Sequence, residues 1–210
     1  QDNSMTSNTN NNGLLPLQSS PTTEDTCDDA SNQIISSIAL QSLCVLRDAD
    51  PILGRKWSQT TTQSPNDPCL WRSVTFEQGT ITELNLGGMM RLKTLVPSAF
   101  SSMGSLRTLS LAGTDLPINQ IIGVLNAIID AAIPLTNLLL GSMDVTDHGM
   151  GKIAPLIAKL AENTLEKLDL RYNMIGPDGA LSLYKALSDN ANGSQKKHKL
   201  KKLYMEGNRL

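Results

Sequence analysis

The sequence has few aromatic side chains, and this scarcity narrows the classes of protein to which it can belong. Seven of the 210 residues are Trp, Tyr or Phe, against 32 leucines. Single-stranded nucleic-acid modules stack bases on aromatic platforms, and a net charge of −2 does not call for a polyanion. We therefore expect no nucleic acid among the partners. Since 40% of the residues are hydrophobic, the chain can form a core, but a nearly all-aliphatic one.

Long apolar runs and ligand clusters are also missing from the sequence. No stretch of 18 or more apolar residues occurs, so we predict no transmembrane helix. The three cysteines form no C-x-x-C pair, and His148 and His198 lie far apart in the chain. Metal and catalytic sites need several convergent groups. The sequence therefore predicts no cofactor, no metal site and no enzymatic activity.

The composition changes along the chain in a way that predicts three regions. Residues 1–26 are rich in Asn, Ser, Thr and Pro, which predicts a flexible low-complexity tail. From Asp28 to about Asp50, spaced apolar residues predict a helix, and Pro51 predicts a break near its end. We interpret residues 27–80 as an N-terminal cap and residues 81–210 as a repeated region.

Residues 81–210 repeat one pattern of apolar positions. The clearest copies begin at Leu165 and Leu200 and follow L-x-x-L-x-L-x-x-N-x-L, and more divergent copies begin at Ile81, Leu106 and Leu135. This pattern is the signature of leucine-rich repeats. It predicts repeats at 81–105, 106–134, 135–164 and 165–199, with an incomplete repeat at 200–210.

The pattern also predicts how each repeat folds. The spaced leucines of a short strand point inward and are buried only when neighbouring repeats stack. Spacings of 29 residues or more leave room for a helix, and apolar stripes predict helices near 121–132, 153–160 and 180–187. The predicted fold is an α/β leucine-rich-repeat solenoid with a curved parallel sheet, convex helices and an N-terminal helical cap.

The ninth template position predicts a side chain that hydrogen-bonds the backbone of the turn. Asn173 and Asn208 occupy it in the clearest copies, and an amide offers both donors and an acceptor. Thr114 can serve in part, whereas Met89 and Met143 cannot. The turns at those methionines are expected to be looser or to be satisfied by other groups.

The segment before the repeats has Cys27 followed by two Asp residues, then Trp57 and the sequence PCLWRSVTF at 68–76. In these features it resembles the cap of plant-type extracellular leucine-rich-repeat proteins. The resemblance implies a secreted or cell-surface protein with a disulfide between Cys27 and Cys69. Phe76 replaces the last cysteine of that cap, which leaves Cys44 unpaired. The alternative is a cytosolic protein in which all three thiols are buried and reduced.

Two further features bear on location. The tripeptide Asn192-Gly193-Ser194 is a glycosylation sequon, which a secreted protein would carry on an exposed loop. The segment LEKLDLRYNMIGPDGALSLYKAL at 165–187 resembles the long repeats of ribonuclease-inhibitor-like proteins, which are mostly cytosolic. That resemblance implies a cytoplasmic regulator as an alternative.

The preferred function is non-catalytic protein–protein recognition or scaffolding through the concave strand face. Repeat proteins bind partners on such extended surfaces, and Tyr and Arg are enriched at binding hot spots. The candidate partner-binding residues are Asp169, Arg171, Tyr172, Tyr204, Glu206, Arg107 and Asn137. A further alternative is a structural subunit of a larger assembly. Because the sequence stops on a template position, Leu210, we expect further repeats or another chain to cover that end.

Overall fold

The computed structural model describes residues 26–27, 33–34, 36–58, 73–188 and 197–210. The helices are α1 (Ser37–Ala49), α2 (Pro51–Ser58), α3 (Pro97–Phe100), α4 (Ile118–Asp130), α5 (Asp147–Asn163) and α6 (Pro177–Ser188). The strands are β1 (Thr26–Cys27), β2 (Gln33–Ile34), β3 (Val74–Glu77), β4 (Thr80–Asn85), β5 (Thr108–Ser110), β6 (Asn137–Leu139), β7 (Lys167–Asp169) and β8 (Lys202–Tyr204).

Six of these strands form one open sheet whose order follows the chain from β3 to β8. The first pair, β3 and β4, is antiparallel, and every later pair is parallel. Strands β5 to β8 each cover the third to fifth positions of the repeat pattern. The fourth-position leucines Leu84, Leu109, Leu138 and Leu168 are completely buried. The predicted buried leucine is therefore present in β4 to β7, whereas the equivalent Leu203 on β8 is 42% exposed.

Along the chain, helices α3 to α6 connect the successive parallel strands, and neighbouring helices of this group pack on one another. Helix α5 contacts both α4 and α6, and its residues Ile153 and Ile157 belong to the same core as the strand leucines. The shorter first repeat has only the four-residue α3 between its strand and the next. This difference agrees with the prediction from repeat spacing, since 25 residues leave little room for a full helix.

The cap differs from its prediction in where its helix begins. Helix α1 starts at Ser37 rather than near Asp28, because the Ser36 hydroxyl accepts a hydrogen bond from the amide of Ala39 at 3.1 Å and so caps the helix. Pro51 does separate two elements, as predicted, but it begins helix α2. Proline is well suited to the first turn of a helix, where its missing N–H would have no partner.

A buried carboxylate joins the cap to the first repeat. The side chain of Asp50 lies between α1 and α2 and is 3% exposed. Its oxygens accept hydrogen bonds from the amide of Ile52 in α2 at 2.8 Å, and from the amides of Lys93 and Thr94 at 3.0 and 3.1 Å. One side chain therefore satisfies backbone donors that lie more than 40 residues apart.

The asparagine of one repeat supports the turn of the repeat before it. The side-chain oxygen of buried Asn173 accepts hydrogen bonds from the amides of Met143 and Val145, each at 3.0 Å. Its amide group donates to the carbonyls of Leu140 and Leu170 at 2.8 and 2.9 Å. The backbone amides of the turn that has Met143 in place of asparagine thus find their acceptor in the next repeat. This is one of the two outcomes expected for that turn, in which other groups satisfy its hydrogen bonds.

Several sequence predictions concern residues outside the described part of the chain. These are Cys69, the sequon at Asn192 and the predicted tail at 1–26 except for its last residue, so the disulfide and the glycan remain predictions. Cys44 lies half-buried in α1 with a free thiol. None of the helices in the described ranges is both long enough and apolar enough to span a membrane.

Candidate partner-binding strand face

The outward residues of the parallel strands form two rows across the sheet, which we call the open strand face. Successive strand side chains point to opposite sides, so the residues flanking each buried leucine lie on this face. The third-position row consists of Glu83, Thr108, Asn137, Lys167 and Lys202. The fifth-position row consists of Asn85, Ser110, Leu139, Asp169 and Tyr204.

An ion pair of Asp169 with Arg171 lies at the β7 end of this face. The Arg171 guanidinium donates to both carboxylate oxygens, at 2.6 to 3.1 Å, and the Arg171 amide donates to the same carboxylate at 3.1 Å. These hydrogen bonds lower the pKa of Asp169 against the opposing effect of burial, and they raise the pKa of Arg171. The carboxylate therefore holds the guanidinium in a fixed position on the surface.

The ring of Tyr204 lies beside two cations. The Arg171 Cζ is 5.3 Å from the centre of the ring, and the Lys167 Nζ is 5.6 Å from it. Cations at such distances are attracted to the electron-rich face of an aromatic ring. Strand register explains the arrangement, because Tyr204 on β8 is aligned with Asp169 on β7. Lys167 and Arg171 lie two positions before and after Asp169, so all three point to the same side of the sheet.

Tyr172 lies in the turn that follows β7 and is 65% exposed. Its backbone is left-handed, with φ of 55°, and its amide donates to the carbonyl of Glu206 at 2.8 Å. The ring lies directly against Gly207, where a side-chain carbon would overlap it. A glycine at this position therefore creates the space that the exposed tyrosine occupies.

The structure brings together five of the seven residues predicted to bind a partner. Asp169, Arg171, Tyr172, Tyr204 and Glu206 all lie on β7, on β8 or in the turns that follow them, and the charge of Glu206 contributes to the raised pKa of Arg171.

The other two predicted residues lie elsewhere on the sheet. Asn137 is on β6, where its side-chain amide donates to the Thr108 hydroxyl at 3.0 Å. Arg107 precedes β5, two strands from β7, beside Glu77 and Thr80. Sequence reasoning did not include Lys167 in the candidate site. Its place at the third template position would have identified it, because that position aligns with Asn137 and Lys202.

A cleft separate from the open strand face lies at the turns that follow β5 and β6. It has a volume of about 540 Å³, and its lining includes Thr114 and Met143, which occupy the ninth template position. An ion pair between Lys93 and Asp115, 3.2 Å long and exposed, lies at this cleft.

Within the described ranges, no group of three or more His, Cys, Asp or Glu side chains is arranged to hold a metal ion.

Comparison with known proteins identifies the repeat that carries Asp169, Arg171 and Tyr172 of the candidate site. Residues 162–183 match the family model described as Leucine Rich repeat. The match supports a leucine-rich-repeat protein. The matched segment covers 22 of the 210 residues and contains β7, the turn with Asn173 and the first part of α6. Leucine-rich repeats are typically non-catalytic binding modules, which agrees with protein partners in general. No curated protein matches the chain.

Proposed function

We propose that this leucine-rich-repeat protein recognises another protein through the β7–β8 end of its open strand face. The observation that supports this most is the side-by-side placement of Arg171, Tyr172 and Tyr204. Tyr and Arg supply much of the binding energy at protein interfaces. Asp169 holds the Arg171 guanidinium in place, so a partner would bind that side chain with a small loss of side-chain entropy.

The proposal includes the shape of the repeat region. Stacked repeats with strands on one side and helices on the other form a curved solenoid, and the strands line its inner side. The open strand face would then be concave and could surround part of a partner. One helix follows each of the strands β4 to β7: the short α3 and the longer α4, α5 and α6. This regular order supports a strand side and a helix side in successive repeats.

Substituting the three side chains together tests the proposed face. We expect Arg171→Ala, Tyr172→Ala and Tyr204→Ala combined to abolish capture of a partner that the native protein isolates from its source. The matched control is Tyr184→Ala with Lys185→Ala, which removes an exposed tyrosine and a cation from α6. Equal capture by the native protein and the triple variant would show that the interface lies on another surface.

We further propose that the protein acts outside the cell or on its surface. The support is the likeness of the cap around Cys27, Trp57 and Cys69 to secreted caps, together with the sequon at Asn192. Mass spectrometry of native material without reduction should find Cys27 joined to Cys69 and a glycan on Asn192. Free thiols at both cysteines would instead support the cytoplasmic alternative.

A second candidate function, a structural subunit of a larger assembly, is supported by the outer edge of β8. Leu203 is 42% exposed, whereas the equivalent Leu168 is fully buried, and Leu210 is 65% exposed. An uncovered edge strand with exposed leucines favours pairing with another chain. We propose that a partner chain covers this edge. Hydrogen exchange on native material should then show slow exchange at the β8 amides, and fast exchange there would contradict this function.

A further inference from the structure

Two lysines occupy adjacent positions on the open strand face. Lys167 on β7 and Lys202 on β8 are direct partners in the strand register, and we call them the lysine pair. Like charges placed opposite each other on neighbouring strands destabilise a sheet. The core does not require them, because both side chains belong to the outward row. Their repulsion would be relieved by an anion that binds between them.

The nearby carboxylates are already engaged by other cations. Asp169 accepts from Arg171, and Glu166 is 2.8 Å from the ammonium of Lys201. In the parts of the chain that the structure describes, neither member of the lysine pair has a carboxylate within 4.0 Å. The Lys167 ammonium instead lies 5.6 Å from the centre of the Tyr204 ring. The face therefore offers two cations that can bind an external anion.

The row of side chains that contains the lysine pair changes charge across the sheet. It begins with Glu83 on β4, continues through the uncharged Thr108 and Asn137, and ends with the two lysines. The attraction for an anion is therefore concentrated at the end where Arg171, Tyr172 and Tyr204 also lie. A partner that is acidic at one end would bind in one orientation only, because its acidic end would be repelled by Glu83.

We propose that the lysine pair binds carboxylates of an acidic, extended segment of a partner protein that lies across β7 and β8. The inference rests on the recognition function proposed above and specifies its chemistry. A carboxylate between two ammonium groups forms charge-assisted hydrogen bonds with both. Glu166, Asp169 and Glu206 are interspersed with the cations of this region. A continuous phosphate backbone would be repelled by them, whereas spaced carboxylate side chains can avoid them.

An alternating peptide provides the test. In an extended chain every second side chain points to the same side, so a fluorescein-labelled octapeptide of alternating Glu and Ser would present a row of carboxylates. Its binding to the full chain is measured by fluorescence anisotropy at low salt, where surface charges are least screened. The comparison probe is the same peptide with Gln in place of Glu, which we expect to bind weakly.

Matched variants separate the lysine pair from general charge. Lys167→Gln with Lys202→Gln should weaken binding of the acidic peptide about tenfold, because two exposed ion pairs are lost together and each makes a modest contribution. Tenfold corresponds to about 1.4 kcal/mol. Lys152→Gln with Lys159→Gln removes the same charge from the exposed side of α5 and should change binding less than about twofold. Thermal unfolding should show that the Lys167/Lys202 variant stays folded with a stability close to that of the native chain, since it removes both a repulsion between the lysines and the attraction of Lys167 to the Tyr204 ring.

Three results would overturn the inference. The first is an equal loss in the two double variants, which would show only long-range attraction. The second is equal binding of the Gln and Glu peptides. The third is tighter, lysine-pair-dependent binding of heparin or an oligonucleotide, which would assign the surface to a polyanion. The acidic peptide could fail to bind while the Arg171, Tyr172 and Tyr204 substitutions still abolish partner capture. In that case the recognition function stands, and only the proposed binding of acidic side chains is refuted.

Discussion

Replacing Asn173 with alanine tests whether one side chain holds two repeats together. The substitution removes four hydrogen bonds of 2.8 to 3.0 Å between a buried side chain and the backbone of two successive turns. The amides of Met143 and Val145 have no other hydrogen-bond acceptor among the described residues. The cost should therefore appear in the earlier repeat as well as in the mutated one.

The size of the effect follows from the number of bonds that are lost. A typical intramolecular hydrogen bond contributes about 1 kcal/mol net, and a buried polar group left without a partner costs about 1–3 kcal/mol. The Leu170 carbonyl keeps a second donor from Asn208 at 2.9 Å, so its loss is small. We expect the free energy of unfolding to fall by about 3 kcal/mol. Thr114→Ala is the control, because Thr114 fills the same template position but makes a single such bond, at 2.8 Å to the Leu111 carbonyl, and should cost about 1 kcal/mol.

Urea unfolding followed by circular dichroism measures both losses, and hydrogen exchange locates them. In Asn173→Ala, the amides of Met143 and Val145 should exchange faster than in the native chain, while those of β4 should not change. The reasoning would be refuted if Asn173→Ala cost no more than Thr114→Ala. It would also be refuted if exchange increased only within residues 165–188, because the support between repeats would then be absent.

Three other substitutions test carboxylates that accept hydrogen bonds within the protein. Asp50→Ala should destabilise the cap against the first repeat by about 2–3 kcal/mol, since three backbone amides lose their acceptor, and proteolysis should then cleave the cap first. Asp147→Ala removes the oxygen that accepts from the amides of Gly176 and Gly179 at the start of α6, which should lower helix content and stability by about 1–2 kcal/mol. Because Arg171 lowers the pKa of Asp169, the stability from this pair is present above the unfolded aspartate pKa of about 3.9 and is lost as the pH falls through the lower folded pKa. Asp169→Asn should therefore reduce the slope of unfolding free energy against pH in acid, and an unchanged slope would count against the pair.

The strands and helices of the repeats could be predicted because their cause is local. The alternation around Leu168, with a charged residue on each side, specifies a strand with one buried face. The stripe that includes Ile153 and Ile157 has helical spacing, and both residues are buried in α5. The start of α1 was predicted less well, because a single hydroxyl, that of Ser36, decides where the helix begins.

The candidate site could be predicted in part. Arg171, Tyr172 and Tyr204 stand out by residue type, and the third template position of Lys167 also places it on this face. The proximity of Lys167 to a ring 37 positions later in the chain follows only from the structure. The template position of Asn173 predicts that its side chain hydrogen-bonds the backbone of a turn. It does not predict that Asn173 also supports the turn of the preceding repeat. Hydrogen bonds between repeats depend on register, and register is set by how the strands stack.

The type and spacing of neighbouring residues were enough to predict the repeat, the inward leucines and a mainly aliphatic core, in which Trp57 and Phe100 are the buried aromatic residues among those described. The tertiary structure alone decided which charges meet. It placed Asp169 beside Arg171, Tyr204 between two cations and Lys167 opposite Lys202. Those contacts arise because parallel strands about 30 residues apart align in one register, so side chains distant in the chain become neighbours on one face.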